Sequence, residues 1–220
     1  MGLLGLVLPT RCAGCGVPGD ALCARCLASV VRIGPPVCER CGCPGAWPVR
    51  RCVECTGRRL GFTTARAAIV YDGVTRPLVA AWKERGRRDL VEPFAALIEE
   101  VVAPPFVDAV TFVPGDRERG RDRGHVPVAR LAHALADRWG LPVVRLLARS
   151  GPSSRQAGLS RADRRANVRD LFAARREALG RLVLVDDVYT TGATAAACAT
   201  TLRRAGARSV EVVCLARAVR

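Results

Sequence analysis

The sequence lacks any long apolar segment. No apolar run in the 220-residue chain reaches the roughly 18 residues that a membrane span requires. The first nine residues lack the basic start of a secretory signal peptide and are too few to form one. These absences predict a cytoplasmic protein with no membrane insertion.

Aromatic residues and histidine are also scarce. Aromatic residues make up 5% of the chain and hydrophobic residues 50%, so the core must be mainly aliphatic. The only histidines, His125 and His133, lie far from the cysteine-rich start of the chain. This excludes a metal site there that depends on imidazole ligands. The length allows one large domain or two small ones.

Lysine is nearly absent, because Lys83 is the only lysine among 35 basic residues. With 20 acidic residues the formal net charge is +15, which favours polyanionic partners such as nucleic acid or a pyrophosphate-bearing substrate. A coding bias that leaves a solvated arginine-rich surface is the alternative. Lys83 is a functional candidate because its compact ammonium differs from the planar fork of arginine. Chance survival of one lysine on a solvated helix is the other interpretation.

Cysteine is abundant, and nine of the eleven cysteines lie in the first 55 residues. Eight of them form four Cys-x-x-Cys pairs, and this spacing lets two thiolates on one turn reach the same tetrahedral zinc ion. Disulfides are disfavoured in a chain without a secretory signal, because cytosolic thiols are kept reduced. The predicted zinc ligands are Cys12, Cys15, Cys23, Cys26, Cys38, Cys41, Cys52 and Cys55.

Eight ligands predict two structural zinc ions. The simplest pairing assigns the first four cysteines to one ion and the last four to the other, with interleaved pairing as the alternative. Cys43 is left over, and the spacing favours Cys41 over Cys43 as the ligand. A segment this short, with few large apolar side chains, must gain most of its folding free energy from metal binding. We therefore predict a zinc-ribbon domain over residues 1–60.

The remainder, residues 61–220, alternates between short β-rich runs and helical stretches. Strands are predicted at residues 65–71, 108–113, 142–147, 182–185 and 209–216. Helices are predicted at residues 74–85, 90–102, 127–139 and 194–205. This alternation is typical of an α/β fold with a doubly wound parallel sheet.

Residues 182–194 combine a buried strand, two acids and a turn of small residues. Ligands of open α/β sheets bind at the carboxyl ends of the strands, and here Asp186 and Asp187 stand at that end. A turn of small residues that opens a helix directs backbone N–H groups and the helix dipole at one anion. The adjacent carboxylates suit vicinal hydroxyls or a bridging metal. Ribose 5-phosphate has both features.

Two further loops are predicted at the same edge of the sheet. Residues 114–124 contain four arginines and three glycines, a composition that suits pyrophosphate, although three interrupting acids also fit a solvated turn. Residues 150–170 form a long polar stretch of the size found in lids or in disordered segments. A lid would exclude water from a reactive sugar.

The run 182–194 resembles the 5-phosphoribosyl 1-diphosphate (PRPP) signature of type I phosphoribosyltransferases. That signature is a hydrophobic strand, two acids, any two residues and then Thr-Thr-Gly-x-Thr. The resemblance implies a PRPP-binding segment comprising Asp186, Asp187, Val188, Tyr189, Thr190, Thr191, Gly192, Ala193 and Thr194.

The chain as a whole resembles the ComF family of competence-associated, phosphoribosyltransferase-like proteins. The four cysteine pairs, Lys83 followed three residues later by Gly86, and the loop ending in Arg123 support this. Further matches are Gln156, Leu159, Ser160, Arg164, Asn167, Val168 and Phe172. The resemblance implies a parallel-sheet type I phosphoribosyltransferase fold preceded by a small zinc ribbon. It also implies a link to uptake of single-stranded DNA and to competence-machinery proteins.

The resemblance implies a catalytic role for four residues. Asp186 and Asp187 would hold the ribose hydroxyls, Lys83 and Arg123 would neutralise the departing pyrophosphate, and Mg²⁺ would accompany PRPP. A nitrogen nucleophile would then attack C1 with inversion. The chain departs from the family after Arg123-Gly124, where His125 and Val126 replace an aromatic residue and an asparagine. A non-catalytic protein that binds a nucleotide or single-stranded DNA with the same residues is the alternative.

Overall fold

A parallel four-stranded sheet forms the centre of the protein in a computed structural model, which describes residues 10–115, 126–149 and 171–219. The strands are β1 (Thr64–Val70), β2 (Ala109–Phe112), β3 (Leu147–Arg149), β4 (Phe172–Ala174), β5 (Arg181–Tyr189) and β6 (Ser209–Arg217). The central sheet has the order β1-β6-β5-β2 and every pair in it is parallel. The predicted α/β class with a parallel sheet is confirmed.

Both faces of the sheet are buried, as the uninterrupted apolar run in β5 predicts. Val183 and Val185 pack into one hydrophobic core, and Leu182 and Leu184 pack into the other. Successive side chains of a strand point to opposite faces, so β5 contributes to both cores at once. The strand extends to Tyr189 rather than ending at Val185, because Asp186 and Val188 continue the register with β6.

Five α-helices accompany the sheet in the described ranges: α1 (Ala24–Ala28), α2 (Thr75–Glu84), α3 (Val91–Val101), α4 (Pro127–Trp139) and α5 (Ala193–Arg204). A short 3-10 helix at Arg88–Leu90 precedes α3. The first core joins α2, α3 and α4, and the second core contains α5. Pro127 opens α4 and Gly140 ends it in the left-handed conformation, a common arrangement at helix termini. None of these helices is long and apolar enough to cross a membrane.

The cysteine-rich segment packs against both faces of the sheet. Cys12, Leu22 and Val30 belong to the core beneath α2 and α3, whereas Cys38 and Phe62 belong to the core beneath α5. Between these two halves, the segment bonds to β1 through Ile33 N and Ala68 O at 2.8 Å and through Val70 N and Val31 O at 2.9 Å. The division at residues 60 and 61 stays a prediction, and the two parts share their hydrophobic cores.

The strand predicted at residues 142–147 differs from the structure. Only Val143 bridges to Val110 in parallel, because Pro142 has no N–H group with which to extend the ladder. The chain then leaves the sheet, and β3 pairs antiparallel with β4 in a separate two-stranded ribbon. Strand β4 is not among the predicted strands, since three residues provide too short a pattern to detect.

Candidate functional site: a carboxylate pair, a phosphate-sized turn and two cysteine clusters

Eight cysteines gather into two clusters, as the simplest pairing predicts. The first cysteine cluster is Cys12, Cys15, Cys23 and Cys26, and the second cysteine cluster is Cys38, Cys41, Cys52 and Cys55. Within each cluster all four sulfur atoms lie within 4.8 Å of one another. Cys43 belongs to neither cluster among the described residues.

The distances between sulfurs fit tetrahedral zinc. Zinc–sulfur bonds of about 2.3 Å place the sulfurs of a tetrahedral site about 3.8 Å apart. The sulfurs of Cys15 and Cys23 are 3.7 Å apart, as are those of Cys38 and Cys55, and those of Cys41 and Cys52 are 3.5 Å apart. The two clusters are therefore consistent with two structural zinc ions.

Backbone N–H groups prepare one sulfur of each cluster to bind a metal as thiolate. The amide of Cys23 donates to Cys12 Sγ at 3.4 Å, and the amide of Cys52 donates to Cys38 Sγ at 3.3 Å. Burial raises the pKa of Cys12, but backbone N–H groups outweigh burial and lower this pKa to about 6. The same balance lowers the pKa of Cys38 to about 7. Both thiols therefore favour the deprotonated form that binds zinc.

Asp186 and Asp187 lie near the carboxyl end of β5, three and two residues before the strand ends at Tyr189. Asp186 is 7% exposed, and its Oδ1 accepts the amide of Asp187 at 2.9 Å. Burial, followed by the adjacent Asp187 charge, raises the pKa of Asp186 to about 8. The Asp186 carboxyl therefore favours its protonated form more than an ordinary aspartate does, and in that form it can donate as well as accept a hydrogen bond.

Lys83 lies next to this carboxylate pair. It occupies the last turn of α2, and its Nζ is 2.6 Å from Asp187 Oδ2. The Lys83 side chain is 34% exposed and that of Asp187 is 17% exposed, so the ion pair is partly screened from water. The composition singled out Lys83, and the structure places it beside the predicted ligand edge rather than on a solvated helix face.

The phosphate turn, residues 190–194, links β5 to α5. Gly192 has φ +69° and stands immediately before the first residue of α5, so the backbone turns sharply there, and the first N–H groups of the helix have no carbonyl partner within the helix. The amide of Ala193 also approaches Thr191 Oγ1 at 3.3 Å. Small side chains and a helix N-terminus of this kind suit a phosphate group.

The strand β2 ends at the same edge. Val113 N donates to Val185 O at 3.0 Å, so the chain after β2 leaves the sheet next to Asp186. Arg123 and most of the arginine-rich loop lie outside the described residues, as does the segment 150–170. Their predicted roles stay predictions.

Sequence reasoning did not identify a buried arginine behind the site. Arg217, the last residue of β6, is 1% exposed. Its guanidinium carbon lies 4.5 Å from the ring centroid of Tyr189, and its Nη1 donates to Cys41 O at 2.7 Å. One arginine among many at the end of an apolar run carries no local signal of burial.

Comparisons with known proteins agree with this architecture. The double zinc ribbon domain family matches residues 3–57. DNA utilization protein YhgH of Salmonella typhi is 28% identical over 228 residues, covering 96% of this chain and 99% of that protein. Competence protein ComFC of Bacillus subtilis is 24% identical over 187 residues, covering 80% of this chain and 75% of that protein.

Among solved structures, glutamine phosphoribosylpyrophosphate amidotransferase of B. subtilis is 23% identical, with a TM-score of 0.44. The match covers 61% of this chain and 30% of that longer chain. The matches to YhgH and ComFC span most of the chain, and the double zinc ribbon accounts for its amino-terminal part. The chain is therefore similar over most of its length to DNA utilization protein YhgH and competence protein ComFC, and its amino-terminal part matches the double zinc ribbon domain family.

Proposed function

We propose that the protein binds PRPP at the carboxyl end of β5 and transfers its phosphoribosyl group to a nitrogen nucleophile. The observation that supports this most strongly is the Lys83–Asp187 ion pair, at 2.6 Å, next to the phosphate turn. An anion-binding turn, hydroxyl acceptors and a cation then lie at one edge of the sheet. A 5-phosphorylated sugar that carries pyrophosphate needs all three.

Each group has a separate part in the proposed reaction. The phosphate turn holds the 5-phosphate, while Asp186 and Asp187 hold the vicinal ribose hydroxyls. Lys83, together with Arg123, neutralises charge on the leaving group. The bond from C1 to pyrophosphate breaks, the bond from C1 to nitrogen forms with inversion, and pyrophosphate leaves with the electron pair.

Asp186 and Asp187 are the residues that would hold Mg²⁺ at this site, since carboxylate oxygens are its preferred protein ligands. Asp187 accepts Lys83 Nζ at Oδ2 and the amide of Val188, at 2.6 Å, at Oδ1, and each oxygen keeps a second lone pair. Bound Mg²⁺ would supply positive charge against the departing pyrophosphate.

The Asp187→Asn substitution tests the carboxylate's role. Asparagine keeps the shape but loses the charge, so PRPP affinity should fall about 10- to 150-fold, as expected for loss of a hydrogen bond to a charged group. The measurements are calorimetric titration with PRPP and Mg²⁺, and pyrophosphate release with a panel of nitrogenous bases.

Asp137→Asn is the matched control, because Asp137 is exposed on α4 and its change removes the same charge from the chain. It should leave PRPP binding unchanged. Equal affinity of the Asp187→Asn variant and the wild type for PRPP would refute the assignment. If PRPP binds but no base in the panel causes pyrophosphate to be released from it, the protein is a binding protein and not a transferase.

We also propose that the cysteine-rich segment binds single-stranded DNA. Trp47 is 70% exposed, and the neighbouring Arg50 and Arg51 are exposed as well. An exposed indole that stacks on bases, beside arginines that contact phosphates, is typical of single-strand binding. The names of the relatives, a DNA utilization protein and a competence protein, agree with this second function.

Replacing Trp47 with alanine should weaken binding to a fluorescent oligothymidine about 5- to 150-fold, the range expected for loss of one stacked base. Fluorescence anisotropy at several salt concentrations measures this, and the dependence on salt should persist because the arginines remain. Phe106→Ala is the control, since Phe106 is another exposed aromatic, 80% accessible, outside the cysteine-rich segment. Identical affinities of the two variants would contradict the role of Trp47.

A further inference from the structure

Arg217 connects the second cysteine cluster with the end of the central sheet. Besides the bond to Cys41 O, its Nη2 lies 2.6 Å from Glu54 Oε2 and 3.9 Å from Cys41 Sγ. Cys41 belongs to the first cysteine pair of that cluster, and Glu54 lies within the second pair, between Cys52 and Cys55. One buried guanidinium therefore contacts both halves of the predicted metal site.

Arg217 also packs on the ring of Tyr189, and this ring lies next to Gly192 in the phosphate turn. The Tyr189 side chain is 3% exposed, and its hydroxyl has no hydrogen-bond partner in the described part of the chain. A Cβ atom at Gly192 would overlap this hydroxyl and the adjacent ring carbon Cζ. The conformation of the turn at Gly192 therefore depends on where the Tyr189 ring lies.

A second contact runs from the same cysteine cluster to the turn. Arg58 donates through Nη1 to Glu54 O at 3.1 Å and through Nη2 to Thr191 O at 2.8 Å. Glu54 thus interacts with both arginines, with its side chain on Arg217 and its backbone on Arg58. The phosphate turn therefore has two contacts to this region, one from Tyr189 to Gly192 and one from Arg58 to Thr191.

A metal ion in the second cysteine cluster would fix the position of Arg217. Four thiolates outnumber the two positive charges of zinc, so the loaded cluster carries net negative charge. A buried guanidinium is stable only with such partners. Without the ion, the two cysteine pairs are no longer joined through a common metal, so Arg217, which contacts both of them, loses its fixed anchor.

We propose that the ion in the second cysteine cluster sets the geometry of the phosphate turn, with Arg217 as the positioning residue that connects them. Affinity for ribose 5-phosphate then depends on the second metal site through Arg217, Tyr189 and Arg58. This inference rests on the proposed function, because it concerns the same ligand edge.

Arg217→Met tests the connection, since methionine keeps an unbranched apolar stem but removes the guanidinium. Calorimetric titration with ribose 5-phosphate should show affinity reduced about tenfold, within the range expected for loss of one buried cation–π contact. The matched control is Arg66→Met. Arg66 on β1 also donates to the cysteine-rich segment, at Glu39 O over 2.9 Å, but the turn does not depend on it. Arg66→Met should bind ribose 5-phosphate as the wild type does.

Glu54→Gln provides a milder second variant, because the Glu54 side chain is 26% exposed and glutamine has the same shape. It should weaken ribose 5-phosphate binding in the same direction while leaving inorganic pyrophosphate binding unchanged. The proposal is overturned if the affinities for ribose 5-phosphate and for pyrophosphate fall equally. It is also overturned if both variants bind ribose 5-phosphate with unchanged affinity. Wild-type protein that does not bind ribose 5-phosphate at all overturns the proposed function itself.

Discussion

Cys55→Ser is expected to reduce the zinc content from about two ions per chain to about one and to destabilise the fold by more than about 4 kcal/mol. Cys55 has no exposed surface, and its sulfur lies 3.7 Å from that of Cys38. Serine would leave three ligands and a buried hydroxyl in place of a closed four-sulfur site. Elemental analysis and chemical denaturation measure the two effects.

The large effect follows from where the second cysteine cluster lies. Cys38, Cys41 and Cys55 belong to the hydrophobic core that covers one face of the sheet, so loss of the ion frees part of that core. Cys15 in the first cysteine cluster is exposed, and Cys15→Ser should destabilise the chain less, even though it also removes a ligand.

Cys43→Ser is the matched control for the metal assignment. Cys43 lies two residues from Cys41 in the chain but outside the cluster, so this variant should retain about two zinc ions and its unfolding transition. Retention of two ions by Cys55→Ser, or loss of one by Cys43→Ser, would show that the second site uses a different set of ligands.

The parts of the fold with a regular local pattern were predictable from the sequence. The apolar run of β5 indicated a strand buried on both faces, and Val183 and Leu184 indeed enter different cores. The cysteine spacing indicated the two clusters, because ligand geometry restricts which residues can share one ion. Lys83 was detectable only against the near absence of other lysines.

Contacts between distant segments were not predictable. Arg217 is 176 residues from Cys41 and 163 residues from Glu54, and no periodicity relates positions so far apart. The way in which the cysteine-rich segment packs on both faces of the sheet depends on the tertiary fold, since metal ligands fix each cluster internally but not the surface it meets. The resemblance to a family likewise predicted which edge of the sheet binds the ligand, but it did not predict that Arg217 packs on Tyr189 or that Arg58 contacts the phosphate turn.

Gly192→Ala is expected to abolish measurable binding of ribose 5-phosphate, a loss of about a hundredfold or more. Any other residue at φ +69° is strained by about 1–2 kcal/mol. The added methyl group would also overlap the Tyr189 hydroxyl and Cζ, and displacement of packed atoms costs about 1–3 kcal/mol more. Because Tyr189 lies against Arg217, the ring has little freedom to move away, and the phosphate turn must shift instead. Calorimetry with ribose 5-phosphate measures the loss.

Gly140→Ala separates backbone strain from this overlap. Gly140 has φ +65°, and a Cβ there meets no atom within 4 Å, so its substitution should cost only about 1–2 kcal/mol of stability and leave binding unchanged. Tyr189→Phe combined with Gly192→Ala should not restore affinity, because the ring carbon still occupies the space that the methyl group needs. If the Gly192→Ala variant binds ribose 5-phosphate like Gly140→Ala, the 5-phosphate does not bind at the start of α5.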